Sequence, residues 1–576
     1  MSPFPFTADI QRYNGSALRG DLQAGVTVAV FAIPQVMAYA LLAGVPVAYG
    51  FYAAVIMSIT AALWGSSPFV NTGPTNTAAL LTAAALAPLL PTGNLVEIVC
   101  TLALMVGVIR LLMGLMKMGR LMAFVPESAM LGFTAGVGVL IALSQLHFIL
   151  GVDAPLETWF PARLAATLSC IEDIDLITAG IGFGVLVIMT LLDKKARKVP
   201  IAMITMVATG ILAWWMRESH PLPMIRTISE TSFGWPNLVV PSHDVELWRN
   251  LAPSALAIAM IGLMEAVSIG QTLALKRRQE LDVNQEFTGQ GIAQIVTAFF
   301  QGFPGSGSFS RSLLIELSGG QTRFSNVIFG IATAGILLIG ASFLGWIPVS
   351  ALSGLLLFIG IRLIDPARLK QVFQTSASEG AILALTFIIT VFVRIEYGIF
   401  SGIIAAALLH MHRTRSLHLV EFVPDAEGRL HEIPYQAGAS HTSSAVVVTG
   451  LSGDLYYGAS TNLRGQLEAI IRDQQPKHLV VRLRRANSID YSCWHALLHV
   501  AETLHQTGGA MYLCGIRPDY QRIIAQSGMN TFLPPERLFA ATAAPFEAFE
   551  YCLRTIMPQL SGEHPAKQAW ERYLRR

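Results

Sequence analysis

The stretch Gln301–Gly320, QGFPGSGSFSRSLLIELSGG, lies between long apolar segments and therefore belongs at membrane depth. Its first half is unsuited to a spanning helix, because three glycines and a proline fall between Gly302 and Gly307. From Phe309 the pattern turns helical, but only as far as Gly319-Gly320. That is well short of the ~20 apolar residues a span requires. The pattern predicts an extended segment feeding a half-helix. Irregular backbone at that depth is tolerated only where protein buries it or where it lines a cavity. The N-terminus of a half-helix offers unpaired N–H groups and a partial positive charge. Arg311 adds a full charge beside it. Together these features predict a seat for an anion.

A second stretch has the same character: Phe69–Leu81, FVNTGPTNTAALL. Gly73-Pro74 again precedes a short helix, with Thr75, Asn76 and Thr77 in its first turn. Proline suits a helix start, where its missing N–H costs nothing. Two interrupted segments in corresponding positions of two halves point to the binding site of an inverted-repeat transporter.

The composition agrees with a bilayer. Of 576 residues, 53% are hydrophobic and 13% charged, against about 25% charged in an average soluble domain. The charge deficit is concentrated before His410. A net charge of +2 is too near balance to suggest nucleic acid. The five cysteines are scattered without CxxC spacing, so neither a zinc site nor a disulfide framework is indicated. MSPFPFTADIQRY lacks the basic start and apolar core of a signal peptide. Twelve apolar runs between Leu22 and Leu409, with the two half-helices, predict fourteen crossings. Basic residues cluster in Lys117–Arg120, Asp193–Lys198, Lys276–Arg278, Arg323, Arg362–Lys370 and His410–Arg415. All fall on one side if the first helix leaves the cytoplasm. The positive-inside rule then places both termini in the cytoplasm of a multi-pass inner-membrane protein.

The C-terminal part changes character. Residues 412–443 read as a mixed polar linker and 561–576 as a frayed tail. Between them, Val-rich strands at Ala445–Leu451 and His478–Leu483 alternate with amphipathic helices at Ser460–Asp473 and Tyr491–His505. A third strand at Met511–Cys514 and helices near Asp519–Ala525 and Pro545–Ile556 follow. This pattern predicts a small α/β domain over 444–560.

DLQAGVTVAVFAIPQVMAYALLAGVPVAYGFYAA, from Asp21 to Ala54, resembles the opening of the SulP anion transporters, the family of bacterial sulfate permeases and prestin. NTGPTNTAALL from Asn71 resembles that family's third helix, and GSFSRSLLIELSGGQT from Gly307 its tenth. The C-terminal domain looks like a STAS domain. The resemblance runs from Leu18 to about Ile556. It implies fourteen transmembrane segments as 7+7 inverted repeats, with uracil-permease-like core (helices 1–4 and 8–11) and gate (5–7 and 12–14) domains. It also implies a homodimer in the lipid bilayer. On this reading 1–17 is a cytoplasmic N-terminal segment and 18–411 the transmembrane domain.

Gln35 and Tyr39 lie at i and i+4 on the first helix, hence on one face. The resemblance places both near the anion. Thr75, Asn76 and Thr77 offer N–H groups from one half-helix, and Phe309, Ser310 and Arg311 from the other. A charge such as Arg311 at mid-membrane costs about 2.5–3.5 kcal/mol on insertion scales. Such residues are usually functional; a structural ion pair with Glu265 is the alternative. Arg110 is read as snorkelling toward the cytoplasm beside Lys117, Glu127 as a helix-start acid, and Glu396 as an interfacial residue beside Arg394. In SIDYSCWHAL from Ser488, Asp490 and Ser492 match the stretch phosphorylated in anti-sigma-factor antagonists, which the domain resembles. Cys493 departs from the glycine common there, so Ser492 is read as a helix cap with a weak regulatory alternative. No catalytic residue, metal site or cofactor is expected, and the chain lacks a Walker A pattern.

The expected function is secondary active transport of a small anion, sulfate-like, bicarbonate or dicarboxylate, by elevator-type alternating access. Glu265 in MIGLMEAVSIG is a bare carboxylate in an apolar run. Sodium-coupled bicarbonate carriers of the family place a hydroxyl residue one turn after such an acid, but here that position is Ile269 and only Ser268 is near. A proton is therefore the expected co-substrate, with Glu265 as its site. An uncoupled exchanger and a sodium-coupled bicarbonate symporter are alternatives within the family. A membrane-tethered anion sensor signalling through the STAS domain is the alternative of another class.

Overall fold

The computed structural model describes residues 6–90, 93–120, 125–152, 160–192, 199–219, 235–414, 418–425, 427–435, 445–518, 520, 524, 532–560 and 565–575. The basic stretch 193–198 and most of the helix expected near 519–525 lie outside them. The chain divides into two units, Met1–Ala406 and Ala407–Arg576.

The first unit is helical. Its membrane segments are α1 (Gly15–Ala43), α2 (Val47–Trp64), β1 (Thr72–Gly73) with α3 (Asn76–Leu86), and α4 (Leu95–Leu115). Then come α5 (Glu127–Leu150), α6 (Leu176–Leu192) and α7 (Ile201–Ser219). The second half repeats the plan: α8 (Val245–Arg277), α9 (Val283–Ala298), β2 (Ser306–Gly307) with α10 (Phe309–Leu317), α11 (Phe324–Leu344), α12 (Val349–Leu363), α13 (Ala377–Phe392) and α14 (Ile395–Thr414). Seven of the described helices are long and apolar enough to cross a membrane on their own, and shorter apolar helices include α3.

The packing shows the internal repeat. α4 packs on α9 as α11 packs on α2; α8 packs on α4 as α1 packs on α11; α13 packs on α5 as α6 packs on α12. Each pair maps to the other when helix numbers shift by seven. The contacts also sort the helices: α1–α4 with α8–α11 form one set, and α5, α6, α12 and α13 another. At the centre, β1 and β2 pair antiparallel, Thr72 with Gly307 and Gly73 with Ser306. Glycine is required for this approach: a Cβ on Gly305 would lie 2.3 Å from the Gly73 carbonyl oxygen.

The second unit is a six-stranded sheet in the order β4-β3-β5-β6-β7-β8. Its strands are β3 (His418–Pro424), β4 (Leu430–Pro434), β5 (Val446–Leu455), β6 (His478–Ile489), β7 (Ala510–Ile516) and β8 (Leu538–Ala540). β5 to β8 run parallel, while β3 is antiparallel to both β4 and β5. One face is covered by α15 (Tyr457–Gln474) and α16 (Tyr491–Gln506), the other by α17 (Glu547–Ile556) and α18 (Pro565–Arg575). Two expectations are corrected here. The supposed linker 412–443 supplies two strands, because the alternation in HLVEFVP buries Leu419 and Phe422. The supposed frayed tail holds a helix whose Trp570 is buried against Phe549.

Candidate functional site

The half-helices begin at the central strand pair. Thr75 is the N-cap of α3, its hydroxyl accepting from the Ala78 N–H at 3.4 Å. Ser308 precedes α10; its hydroxyl meets that of Ser310 at 3.3 Å but caps no backbone N–H, so the first-turn N–H groups of α10 carry no side-chain cap from it. Both helix starts border one cavity of ≈ 900 Å³. α1, α3, α8 and α10 line one wall; Met130 and Thr134 of α5, Met189 of α6, and Phe358 and Arg362 of α12 line the other. The cavity thus lies between the two helix sets. Its far end reaches the C-terminal residues of α10 and α12 and the first residues of α7, at Leu317, Leu363 and Ile201.

Gln35, Tyr39, Thr75, Asn76, Thr77, Phe309, Ser310 and Glu265 all border this cavity. The Gln35 amide oxygen is buried without a hydrogen-bond partner. Phe309, 53% exposed, turns its ring into the space. Arg311 is not on the wall. It is 2% exposed and donates from Nε to Asn71 Oδ1 at 2.6 Å and from Nη1 to the Pro74 carbonyl at 3.0 Å. Its guanidinium is therefore held off the cavity wall.

The pairing of Arg311 with Glu265 is corrected: Arg311 is bonded to Asn71 and Pro74, and it is Arg110 that passes over α8 at Gly262, one turn before Glu265. Nor does Arg110 snorkel. It is 0% exposed and donates to the Gly305 carbonyl at 2.7 Å and the Ile258 carbonyl at 3.1 Å. Its guanidinium passes over Gly262, where a Cβ would lie 1.9 Å from Nη2. Extended backbone in a membrane leaves carbonyls without helical partners, and each arginine satisfies such carbonyls in the opposite repeat.

Glu265 is half-buried, facing the cavity. Its Oε2 accepts from the Ser306 hydroxyl at 2.5 Å, and the Thr77 hydroxyl is a second hydrogen-bonding neighbour. Ser306 in turn meets the Thr75 hydroxyl at 3.1 Å. One carboxylate thus joins α8 to both broken segments. Ile269 is buried on the same helix and offers no oxygen one turn on.

A polar shell holds the broken segments and was not legible residue by residue. Gln290 donates to the Thr72 hydroxyl at 2.7 Å, Gln294 accepts from the Gly305 N–H at 3.0 Å, and Ser312 accepts from the Asn71 N–H at 2.8 Å. The Asn71 amide donates to Asn326 at 2.9 Å. The available signal was the run of amides at i and i+4, Gln290 and Gln294, in an apolar helix. Glu396 is also corrected: it is buried, and accepts from Ser254 of α8 at 3.1 Å. In the second unit Asp490, not Ser492, caps α16, accepting from the Cys493 N–H at 2.9 Å. Ser492 sits at the second helical position.

Two half-helices meeting at a central strand pair, inside a 7+7 repeat and against a cavity between two helix sets, define a membrane protein of the inverted-repeat class. The chain belongs to the sulfate permease family, matched over residues 18–386, and its second unit contains a STAS domain matched over 439–544. It is 27% identical over 554 residues to a probable sulfate transporter of Mycobacterium tuberculosis, covering 95% of this chain and 98% of that protein. It is 25% identical over 470 residues to the bicarbonate transporter BicA of Picosynechococcus, covering 79% of this chain and 83% of that protein. The fold matches the murine Solute Carrier 26 family member A9 anion transporter in its inward-facing state, with a TM-score of 0.84 at 18% identity. That match covers 96% of this chain and 94% of the murine chain.

Proposed function

We propose that this protein is a proton-coupled secondary transporter of small anions. The observation that carries the reading is the shared cavity: two half-helix N-termini and a carboxylate, Glu265, border the same space. The relatives named as sulfate and bicarbonate transporters support an anion as cargo. Uncapped N–H groups read charge and size, so the cargo class is small inorganic or organic anions. The anion sits between Thr75–Thr77 and Phe309–Arg311, against Gln35 and Tyr39. Transport proceeds by alternating access, the α1–α4 and α8–α11 set moving as an elevator against the other. The cavity reaches the ends of α6, α7, α10 and α12, next to basic loop sequence, which supports a cytoplasm-facing state with both termini in the cytoplasm of the inner membrane. The working unit is a homodimer.

The surroundings of Glu265 support the proton. Hydroxyls both donate and accept, so Ser306 and Thr77 can serve a carboxylate or a carboxylic acid. The fully buried carboxylates of this unit are differently held. Asp21 takes the N–H groups of Gln321 and Thr322 and the Thr322 hydroxyl, and Glu286 takes the N–H groups of Ser66 and Ser67 and the Gln290 side-chain amide. Backbone N–H groups only donate, so they tie those carboxyl oxygens as acceptors, and neither acid borders the cavity. Glu316 pairs with Lys276 and Arg277. Glu396 has a hydroxyl partner but is not on the cavity wall.

Purified protein in liposomes tests the reading. Anion uptake should rise with an inward proton gradient and be indifferent to sodium, and Glu265→Gln should abolish the gradient response while retaining anion binding. Strict sodium dependence would transfer the coupling to sodium, and binding without flux would make the protein a sensor.

A further inference from the structure

Three charges of fixed position surround the cavity end where the half-helices meet. Arg110 lies beneath β2, tied to the Gly305 carbonyl, and passes Gly262, one turn before Glu265 on α8. Arg311 lies in the first turn of α10, tied to Asn71 and Pro74. Both are buried, and guanidinium stays protonated in proteins. The third charge is Glu265. The elements around it contribute otherwise neutral groups: Thr75 and Thr77 from α3, Ser306 from β2, and Tyr39 from α1, whose phenol lies in the field of both Arg311 and Glu265. Glu286 on α9 is turned to the Ser66 and Ser67 N–H groups and to the charge of Arg323, and Arg362 stands among the far-end wall residues of the cavity.

We infer that Glu265 matches the site to the charge of its cargo, so that a divalent anion enters together with one proton and a monovalent anion enters without one. With Glu265 ionised, two guanidiniums face one carboxylate and the empty site carries one net positive charge. A monoanion brings it to neutrality directly. A dianion would leave it one negative charge in excess, unless Glu265 takes up a proton from water. The proton bonds to a carboxylate oxygen, and the hydroxyls of Ser306 and Thr77 turn to accept or donate as required. Both loaded sites are then formally neutral. Neutrality is the state that passes through a low-dielectric barrier at least cost, since an unpaired ion there bears the full desolvation penalty. The site thus selects by total charge, and accepts both classes of anion by changing one proton.

This inference rests on Glu265 being the proton site and adds the dependence on anion charge. Isothermal titration of the purified full chain in buffers of different ionisation heat reads protons taken up per anion bound. Sulfate is the divalent probe and nitrate the monovalent one. The expected result is one proton per sulfate and none per nitrate. Glu265→Gln, which keeps the side-chain shape and its hydroxyl partners, should bind sulfate without proton uptake and bind nitrate at least as tightly as the parent, while nitrate flux in liposomes falls, since the nitrate-loaded site then crosses the barrier charged. Thermal unfolding checks that the variant is folded. Equal proton uptake with both probes overturns charge matching but leaves proton coupling standing. No uptake with either, both being bound, removes proton coupling and this inference with it. If only one probe binds the parent, the variant decides: sulfate retained or gained without proton uptake supports the proposal, and sulfate lost or still unbound overturns it.

Discussion

Replacing Arg311 by alanine separates a field effect from a structural one. Arg311 lies in the first turn of α10, so an anion held by that turn's N–H groups is about one helical turn away, ~5–6 Å. At an effective dielectric of about 20, a unit charge at ~6 Å contributes ~3 kcal/mol. That corresponds to ~100-fold in affinity. The same substitution removes the donors to Asn71 Oδ1 and the Pro74 carbonyl. Stranding two buried acceptors costs about 1–3 kcal/mol each. Arg311→Ala should therefore lower the unfolding temperature and weaken anion binding by about 100-fold. Arg311→Lys keeps the charge but loses the two-pronged geometry. It should restore binding to within about tenfold while recovering little stability. Titration of nitrate and sulfate into purified protein, with thermal unfolding in parallel, reads both effects. A folded Arg311→Ala protein that binds within about threefold of the parent would refute the field argument, because even a dielectric of 80 predicts nearly as much as that at ~6 Å.

Gly262→Ala would place a Cβ 1.9 Å from Arg110 Nη2. It should cost about 2–5 kcal/mol in thermal unfolding through overpacking and lost bonds to Gly305 and Ile258. Gly184→Ala, with nothing within 4 Å of the added carbon, should stay within about 0.5 kcal/mol. In the second unit, burial and then Asp490 push the Cys493 thiol up from 9.0 to about 12, so Cys493, followed by peptide mapping, should resist alkylation at pH 8 in native protein and react once unfolded. Because the unfolded thiol ionises first, that unit should lose stability as pH rises from about 9 towards 12; prompt native alkylation at pH 8 would count against the buried geometry. Truncation after Ala437 strands β3 and β4 without β5, so it should yield an aggregating product by size exclusion, whereas truncation after Thr414 should leave the membrane unit monodisperse.

The interrupted segments were legible because glycine and proline have few reasons to cluster inside an apolar run. The order of crossings and the alternating strands and helices of the second unit were legible for the same reason: they follow from periodicity and composition. What was missed is instructive. Leu419 and Phe422 point to opposite faces of a strand near the sheet's edge, so their run is polar enough to pass for a linker. PAKQAWERYLR carries Trp570, Tyr573 and Leu574 at i, i+3 and i+4, a helical stripe that marks a docked end. Asp490 and Ser492 are equally good caps by residue type, and only geometry gives the role to Asp490.

The site residues on the cavity wall were found by type and position, but their division of labour was not. A sequence shows two intramembrane arginines and one glutamate; it does not show which cation acts on the acid. The pairing follows from topology. Each arginine extends into the opposite repeat, where the broken segment leaves carbonyls without helical partners: Arg110 of α4 to Gly305, and Arg311 of α10 to Pro74. That crossing places Arg110 beside α8 and leaves Glu265 with hydroxyls for direct partners. An acid held by backbone N–H groups has those oxygens tied as acceptors; an acid locked to cations is a strut, as Glu316 is with Lys276 and Arg277. Glu265 is neither, and it stands on the cavity wall. A carboxyl whose neighbours accept both of its protonation states is the one whose charge the cargo can set.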